Sequence, residues 1–404
     1  MQNIKPFINA NLNNKFWKFL GFGLLLYSVL RGIRFPNMWS YSHFLLNYDF
    51  GFIKRGFIGE IIKQSNRPYL ASYDFFFVFS LAIFLANLVL LFLLINDFIN
   101  SQNTILICCS LIFSSSLGVV FLSHTVGYSD QIGLLITLAT LRIGGFYKKT
   151  LFLIFVMPFA LLAHEAIFIT FFPVIFMALL LSIETEGKIK KISILGAFSA
   201  ILLIFVMFLS NHTLDETQAH EMYTDLQAER AYPLREDAFN TLYRTPKDNF
   251  QIIETKWSTQ ETSFFDLANS LLVTAPSFIV FIYFTSLILK EAKVKFHIRL
   301  LSILAPLSPL LLHFWGWDMH RWNTLTVTTS FIIQYITISK YKNRPAITSD
   351  YPYAILAVVL FLNIGSTVPL LDGYSVKQYP FIAHQKYIID LILRKETFPL
   401  IPSR

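Results

Sequence analysis

The 404-residue chain has little of what a water-soluble protein needs at its surface. Charged residues make up 14% of it, while 54% are apolar, 16% are aromatic and the mean hydropathy is +0.54. This excludes an ordinary soluble domain, in which about a quarter of the residues are charged. Cysteine is also scarce: Cys108 and Cys109 are neighbours in an apolar stretch. They offer no disulfide framework or metal site and are expected to be small buried hydrophobic side chains.

A continuous basic stripe is missing too, although the formal net charge is +8 and the pI is near 9.2. Lys and Arg are spread between apolar runs, so we expect no nucleic-acid partner and attribute the excess to membrane orientation. The first apolar run ends at Arg31 and Arg34 without a small-residue cleavage site. We therefore expect it to remain as a signal anchor.

The apolar residues occur in long runs separated by charged or turn-rich breaks. A spanning helix needs about 20 mostly apolar residues, so the pattern predicts an all-α fold, a single polytopic transmembrane bundle over 1–404 with about 11 spans and outward-facing interfacial loops. The predicted spans are 16–34, 73–96, 104–122, 130–147, 149–163, 165–182, 192–210, 269–289, 300–314, 323–339 and 352–371.

Clusters of basic residues predict the orientation of the bundle. Because Lys and Arg accumulate in short cytoplasmic loops, the N-terminus is expected in the cytoplasm. All of these clusters lie on the cytoplasmic side only if 151–182 is a hairpin with His164-Glu165 at its outward tip. The alternative is that 151–182 forms one long tilted helix. The clusters are Lys5, Lys15 and Lys18; Lys148 and Lys149; Lys188, Lys190 and Lys191; Lys290, Lys293, Lys295 and Arg299; Lys340, Lys342 and Arg344.

This topology places most of the unusual polar residues on the outward side. The loop 211–268 has eleven acidic and five basic residues, and we expect a small soluble cap with a polar helix over 214–231. Basic residues in the first outward loop, and in the tail after the last span, are exceptions to the orientation rule. The outward segments are the interfacial loop 36–72, the turn 123–129, the tip 164–165, the loop 211–268, the turn 315–322 and the C-terminal tail 372–404.

The first outward loop mixes charge with apolar anchors. Asp49, Lys54 and Arg55 would lie at the level of the lipid headgroups. A carboxylate there can act as a base towards a sugar hydroxyl, and a neighbouring Arg can hold phosphate oxygens. The alternative is an interfacial helix in which Asp49 and Arg55 form a salt bridge.

Two further groups of ionisable residues adjoin apolar runs. Ser129 or Asp130 is expected to cap the fourth span, and a substrate or cation contact for His124 and Asp130 is the alternative. His164 and Glu165 are enclosed by apolar residues on both sides. Ionisable groups at such depth are costly unless they are paired or hydrated, which favours a functional role over a hydrated turn.

The densest polar cluster is the turn near residue 318. Indole faces such as that of Trp317 stack on sugar rings, although Trp also marks membrane interfaces, and Arg321 can bind pyrophosphate. Asp318 and His320 lack a recognised zinc-ligand spacing, so no metal ligands are predicted and a divalent cation stays a minority interpretation.

The large first outward loop with an acidic residue, followed by outward acidic and His/Arg turns, resembles the GT-C class of polytopic glycosyltransferases. Bacterial surface-polysaccharide polymerases are similar. The resemblance implies transfer of a sugar or oligosaccharide from a polyprenyl-linked donor to a saccharide or lipid acceptor, at the outer face of a bacterial inner membrane. It matches Asp49 to the acidic residue that activates the acceptor. The chain departs from the class because the loop has no Asp-x-Asp pair and no large soluble C-terminal domain is present.

The mechanism expected from this resemblance uses Asp49 as the base, with Glu165 or Asp318 as the alternative carboxylate. Lys54, Arg55 and Arg321 would stabilise the leaving phosphate. His164, Glu165 and His320 would orient hydroxyls or relay protons. The competing functions are a secondary transporter or lipid-linked saccharide flippase, and a noncatalytic assembly subunit. Mid-span charges and an internal repeat, which would indicate a transporter, are not apparent in the sequence.

Overall fold

A computed structural model of the chain describes residues 14–101, 103–183, 186–230, 232–259, 261–316, 318–341 and 351–376, and only the backbone within 257–264. These residues form an all-helical bundle, as the composition predicts. The α-helices are α1 Asn14–Gly32, α2 Met38–Leu45, α3 Phe57–Gln64, α4 Tyr73–Asn100, α5 Thr104–Ser115, α6 Leu117–His124, α7 Asp130–Arg142, α8 Phe146–Ala163, α9 Ile167–Thr170, α10 Phe172–Leu181, α11 Lys188–Asn211, α12 Glu216–Ala228, α13 Asn240–Tyr243, α14 Pro246–Thr259, α15 Glu261–Glu291, α16 Phe296–Leu304, α17 Met319–Lys340 and α18 Tyr351–Gly365.

Six helical segments of the described chain are long and apolar enough to cross a membrane. All eleven predicted windows contain helix, but the count of about 11 spans is not confirmed. Helix α7 has 13 residues, which span about 20 Å of the roughly 30 Å hydrocarbon core. The six segments are Tyr73–Asn100, Thr104–His124, Phe146–Ala163, Lys188–Asn211, Phe265–Glu291 and Phe296–Phe314.

Helix α17 is the centre of the bundle. It packs against α15, α10, α6, α5 and the 3₁₀ helix Ala305–Phe314. Its side chains are buried almost without interruption between Met319 and Thr337. Many of these are threonines whose hydroxyls donate to the helix's own carbonyls, as Thr326 does to Trp322 at 3.0 Å. Small, internally bonded side chains let neighbouring helices approach closely.

The outer helices expose apolar side chains instead. Val78 on α4, Phe155 on α8 and Ile204 on α11 are each more than 60% exposed. Such a continuous apolar surface would be costly in water, whereas in a bilayer it contacts lipid. These helices support membrane insertion of the chain.

The stretch 151–182 is broken where the sequence contains His164-Glu165. Helix α8 ends at Ala163, and His164 has extended backbone angles (φ −168°, ψ 116°). After the short helix α9, Pro173 lies in the first turn of α10. The alternative of one long helix is therefore wrong, and His164-Glu165 forms the connection between helices that contact each other.

A smaller second core joins the first outward loop to the 211–245 region. Helices α2 and α3 pack with α12 and the 3₁₀ helix Glu236–Ala238 through buried Tyr41, Leu46, Met222 and Phe239. Helix α12 lies inside the predicted 214–231 range and begins with a capping box, in which the Asp215 side chain accepts from the Gln218 amide at 2.8 Å. This core holds the soluble cap on the bundle.

Candidate functional site

The segments predicted to share one side of the membrane meet in a single layer. We call it the polar layer: the described residues of 34–67, 123–130, 164–165, 212–245, 315–322 and 366–376. Side-chain bonds connect its segments across more than one hundred positions of sequence. Trp317, which was predicted to bind substrate, lies outside the described residues.

Arg55 and Glu165 form a two-bond ion pair inside this layer. Arg55 Nε and Nη2 donate to the two Glu165 carboxylate oxygens at 3.0 and 2.6 Å, and the side chains are 12% and 17% exposed. Arg55 has a positive φ of 68°, an uncommon conformation outside glycine that the surrounding contacts must stabilise. The predicted alternative in which Arg55 pairs with Asp49 is wrong.

The pKa of Glu165 shows that its carboxylate is ionised. Burial by itself raises this pKa, but the charge of Arg55 and its hydrogen bonds, with a smaller effect from Lys54, hold it well below its usual range. An ionised carboxylate bound by a guanidinium is available for chemistry only when the guanidinium finds another anion.

Lys54 and His43 flank this ion pair. Lys54 is 4% exposed, its Nζ donates to the Arg244 carbonyl at 2.6 Å, and burial lowers its pKa to about 8. His43 lies 3.2 Å through Nε2 from the Ala238 carbonyl, which can only accept, so Nε2 carries the proton. Burial lowers the pKa of His43 to about 3, with Arg55 acting in the same direction, and the ring is neutral at pH 7.

Arg321 is the second fixed guanidinium of the layer. Its Nε donates to Asp130 at 2.6 Å and its Nη1 to Asp318 at 3.0 Å, with Arg321 and Asp130 almost fully buried. The Asp130 carboxylate thus forms an ion pair with Arg321, and the Ser129 side chain makes no capping hydrogen bond to helix α7. The predicted capping role is wrong for Ser129 and incomplete for Asp130.

A column of stacked groups connects Arg321 with His43. The Arg321 guanidinium lies 5.0 Å from the Tyr128 ring centroid, Tyr128 stacks on Trp39 at 5.4 Å, and Trp39 lies 3.9 Å from the His43 ring. Cation–π attraction and ring stacking orient these side chains. The sequence analysis did not select Trp39, His43 or Tyr128, since isolated aromatics near a membrane interface are common.

Three rings of the column, those of Trp39, His43 and Tyr128, border with His164 a small cavity of about 50 Å³, which we call the histidine cavity. His43, Tyr128, Gln131 and His164 provide its polar groups. Nδ1 of His164 accepts from the Ala166 amide at 3.1 Å, so the proton of this neutral ring is on Nε2. Phe79 of α4 lies on the wall and is 37% exposed. The cavity therefore combines neutral hydrogen-bonding groups with a wall that belongs to a membrane helix.

Asp49 lies elsewhere in the layer. Its carboxylate is 43% exposed and pairs with Lys63 of α3. It borders a second cavity, of about 390 Å³, between α3 and α12. We call this the α3–α12 cavity. The lining of the histidine cavity includes Ile58 of α3, but not Asp49. The structure thus brings Glu165, Arg55, His164 and Lys54 together and leaves Asp49 apart from them.

His124 and His320 differ in their surroundings. Both ring nitrogens of fully buried His124 lie 3.2 Å from carbonyl oxygens, those of Gly32 and Leu371, so this ring joins two segments of the chain. Nδ1 of His320 is buried without a hydrogen-bond partner among the described residues. The described chain also contains no group of three or more His, Cys, Asp or Glu residues suited to a metal ion.

Asp372 was not among the site residues predicted from the sequence. This carboxylate accepts hydrogen bonds from Arg34 Nη1 and Arg235 Nη1, each at 2.7 Å, and from the Asn37 amide. Burial by itself raises the pKa of Asp372, but Arg34, Asn37 and Arg235 lower it below its ordinary value. A signal was present: Arg34 follows the first apolar run on the predicted outward side, where basic residues are unusual.

Comparison with known proteins finds no family model, no curated protein and no solved structure that matches this chain.

Proposed function

We propose that this chain is a membrane glycosyltransferase or polymerase that transfers a sugar or oligosaccharide from a polyprenyl-linked donor to a saccharide or lipid acceptor. The observation that carries the proposal is the histidine cavity, which places neutral hydrogen-bonding groups beside a membrane-helix wall and within electrostatic range of two fixed guanidiniums. A lipid-linked phosphosugar has these same parts: an apolar tail, an anionic phosphate and a hydroxylated ring.

The donor enters sideways past Phe79, so that its isoprenoid tail remains against the outer helices. Its phosphate is stabilised by Arg55 and Arg321, because guanidiniums bind phosphate oxygens with paired hydrogen bonds. Both guanidiniums are already bonded to carboxylates. The bonds to Asp130 and Asp318 orient Arg321 before charge develops on the leaving phosphate, the condition under which electrostatic stabilisation is most effective, whereas Arg55 has to turn away from Glu165.

Transfer then requires a base for the acceptor hydroxyl. When Arg55 turns towards the phosphate, Glu165 is released and takes the proton, the acceptor oxygen bonds to the sugar carbon, and the sugar–phosphate bond breaks with its electrons on phosphate. Neither Glu165 nor Asp49 lines the histidine cavity. Glu165 is favoured over the originally expected Asp49 because it follows His164, which does line that cavity, and is bonded to Arg55, whereas Asp49 borders the other cavity. His43 and His164, both neutral, orient hydroxyl groups.

The proposed setting is the inner membrane of a bacterium, with the N-terminus in the cytoplasm and the polar layer on the periplasmic or extracellular side. The predicted cytoplasmic basic clusters include Lys149 at the start of α8 and Lys188 at the start of α11, whereas the opposite ends of these helices meet the polar layer. No metal ligand is assigned, and a divalent cation stays an alternative to be tested by chelation.

The test is release of lipid phosphate by the full chain in nanodiscs supplied with polyprenyl-phosphate and polyprenyl-pyrophosphate sugars and a panel of acceptors. We expect release by wild type and by Asp49→Asn, and a loss of about 100-fold or more in Glu165→Gln. Asp97→Asn, which changes a carboxylate paired with Arg142 elsewhere in the bundle, is the matched control.

Each other result has a defined meaning. Loss in Asp49→Asn with retention in Glu165→Gln would return the base to Asp49. Equal release by the wild type and both variants would indicate that neither residue is the base, and Asp318 would become the candidate. If the wild type releases no lipid phosphate with any donor and acceptor in the panel, the proposal is overturned, and a transporter or an assembly subunit is favoured.

A further inference from the structure

The α3–α12 cavity differs from the histidine cavity in its charge. Its lining has three carboxylates and three basic groups: Asp49, Asp225, Glu229, Lys63, Arg67 and Arg230. Because the three negative and three positive groups balance, the cavity has no net charge that would attract a phosphate. Alternating donors and acceptors suit a neutral ligand that carries many hydroxyl groups.

Buried apolar side chains form the floor beneath these charged groups. Leu45, Ile62, Met222 and Leu226 are each less than 9% exposed. An apolar floor under a polar rim matches a sugar ring, which presents C–H groups on its face and hydroxyls around its edge. The cavity volume of about 390 Å³ lies within the range of about 300–1,000 Å³ found for small-molecule sites, and is sufficient for a short oligosaccharide that extends into the open mouth.

The walls of this cavity are fixed. A Cβ at Gly59 of α3 would lie 2.1 Å from the Leu46 carbonyl oxygen, so the two backbones are in direct contact. On the other wall, Nη2 of Arg230 lies 3.4 Å from the Glu229 carboxylate, while its Nε is buried without a hydrogen-bond partner among the described residues. The Arg230 side chain is 22% exposed, and the accessible part of its guanidinium supplies donors to this wall.

We infer that the α3–α12 cavity binds a neutral oligosaccharide, as a site for saccharide chain separate from the one that holds the lipid-linked donor. The inference rests on the proposed function for its substrate class. It adds a second binding site, in which Arg230 donates to hydroxyls, Asp225 and Glu229 accept from them, and the apolar floor supports the ring faces.

The test is direct binding, without any donor lipid. The full chain in nanodiscs is titrated with maltotriose, mannotriose and the trimer of N-acetylglucosamine, and inorganic pyrophosphate is the competitor. Asp225→Asn alters one side chain at the cavity. Glu221→Gln is the matched control, because Glu221 is exposed on the same helix and does not line the cavity.

We expect saturable binding of at least one trisaccharide, about tenfold weaker in Asp225→Asn, unchanged in Glu221→Gln and insensitive to pyrophosphate. No binding of any trisaccharide, equal binding by the two variants, or displacement by pyrophosphate would overturn the inference. The two assays can fail independently. Saccharide binding without any lipid-phosphate release would contradict the proposed function but would still support this binding site.

Discussion

Two regions of the bundle contain ion pairs with the same chemistry in different surroundings. In the polar layer, Arg321 and Asp130 are 3% and 4% exposed. Away from it, Arg142 of α7 and Asp97 of α4 are 32% and 40% exposed, and Tyr335 also donates to Asp97 at 2.8 Å. Exposed pairs contribute little to stability, and buried pairs often no more than apolar residues of the same size. The buried pairs therefore indicate a requirement for charge at fixed positions.

The sharpest way to test this comparison is to remove one partner of the most buried pair. Arg321→Gln leaves Asp130 without its cation, and we expect a loss of about 3–5 kcal/mol in the free energy of unfolding. Unfolding in detergent micelles measures it. The double variant Arg321→Gln/Asp130→Asn should recover most of the loss, and a double variant as unstable as the single one would contradict the explanation.

Glu165→Gln tests a pair that is nearly as buried and also proposed to be catalytic. We expect a smaller destabilisation, of about 1.5–3 kcal/mol, because Gln still accepts one hydrogen bond from Arg55. Arg55→Gln/Glu165→Gln should regain stability and remain inactive in lipid-phosphate release. Recovered activity in that double variant would show that the charges serve stability alone.

The pH dependence of stability tests the burial of Lys54. Its folded-state pKa of about 8 lies below the unfolded value of 10.5, so between these values the unfolded chain binds more protons and stability rises with pH. Relative to Lys54→Met, the wild type should gain about 1–3 kcal/mol from pH 8 to pH 10.5. Parallel stability curves for the two proteins would mean that Lys54 keeps an ordinary pKa.

The smallest effect is expected for the exposed pair. Arg142→Ala should change the free energy of unfolding by less than about 1 kcal/mol, and added salt should reduce that change further. The same unfolding assay measures it. A loss as large as that of Arg321→Gln would remove the distinction between the two regions.

The positions of the apolar helices were predicted from the sequence better than their lengths. Every predicted apolar run contains a helix, but Pro173 and the prolines of the 3₁₀ helix Ala305–Phe314 shorten helices in a way that hydropathy does not reveal. Helix α17 shows the opposite case: its threonines lower its hydropathy, although most of its side chains are buried.

Within the site, single residues were predictable and their partners were not. Glu165 was selected because charge between apolar runs is costly, and Arg55 because a guanidinium at the level of the headgroups can hold phosphate oxygens. They are 110 positions apart, and no local pattern links them. Asp49 was favoured through resemblance, and the structure places it at a different cavity. Asp372 was missed because its partners lie in the first helix connection and in the soluble cap.

The Asp372 cluster has a consequence for synthesis of the protein. Arg34 is synthesised 338 residues before the carboxylate that it binds, an interval of about 20–70 s at synthesis rates of about 5–20 residues per second. Until then Arg34 and Asn37 lack this partner, and the nascent bundle cannot close its polar layer around them. Synthesis of Asp372, beyond the end of α18, is thus the step that allows the first and last described parts of the chain to join.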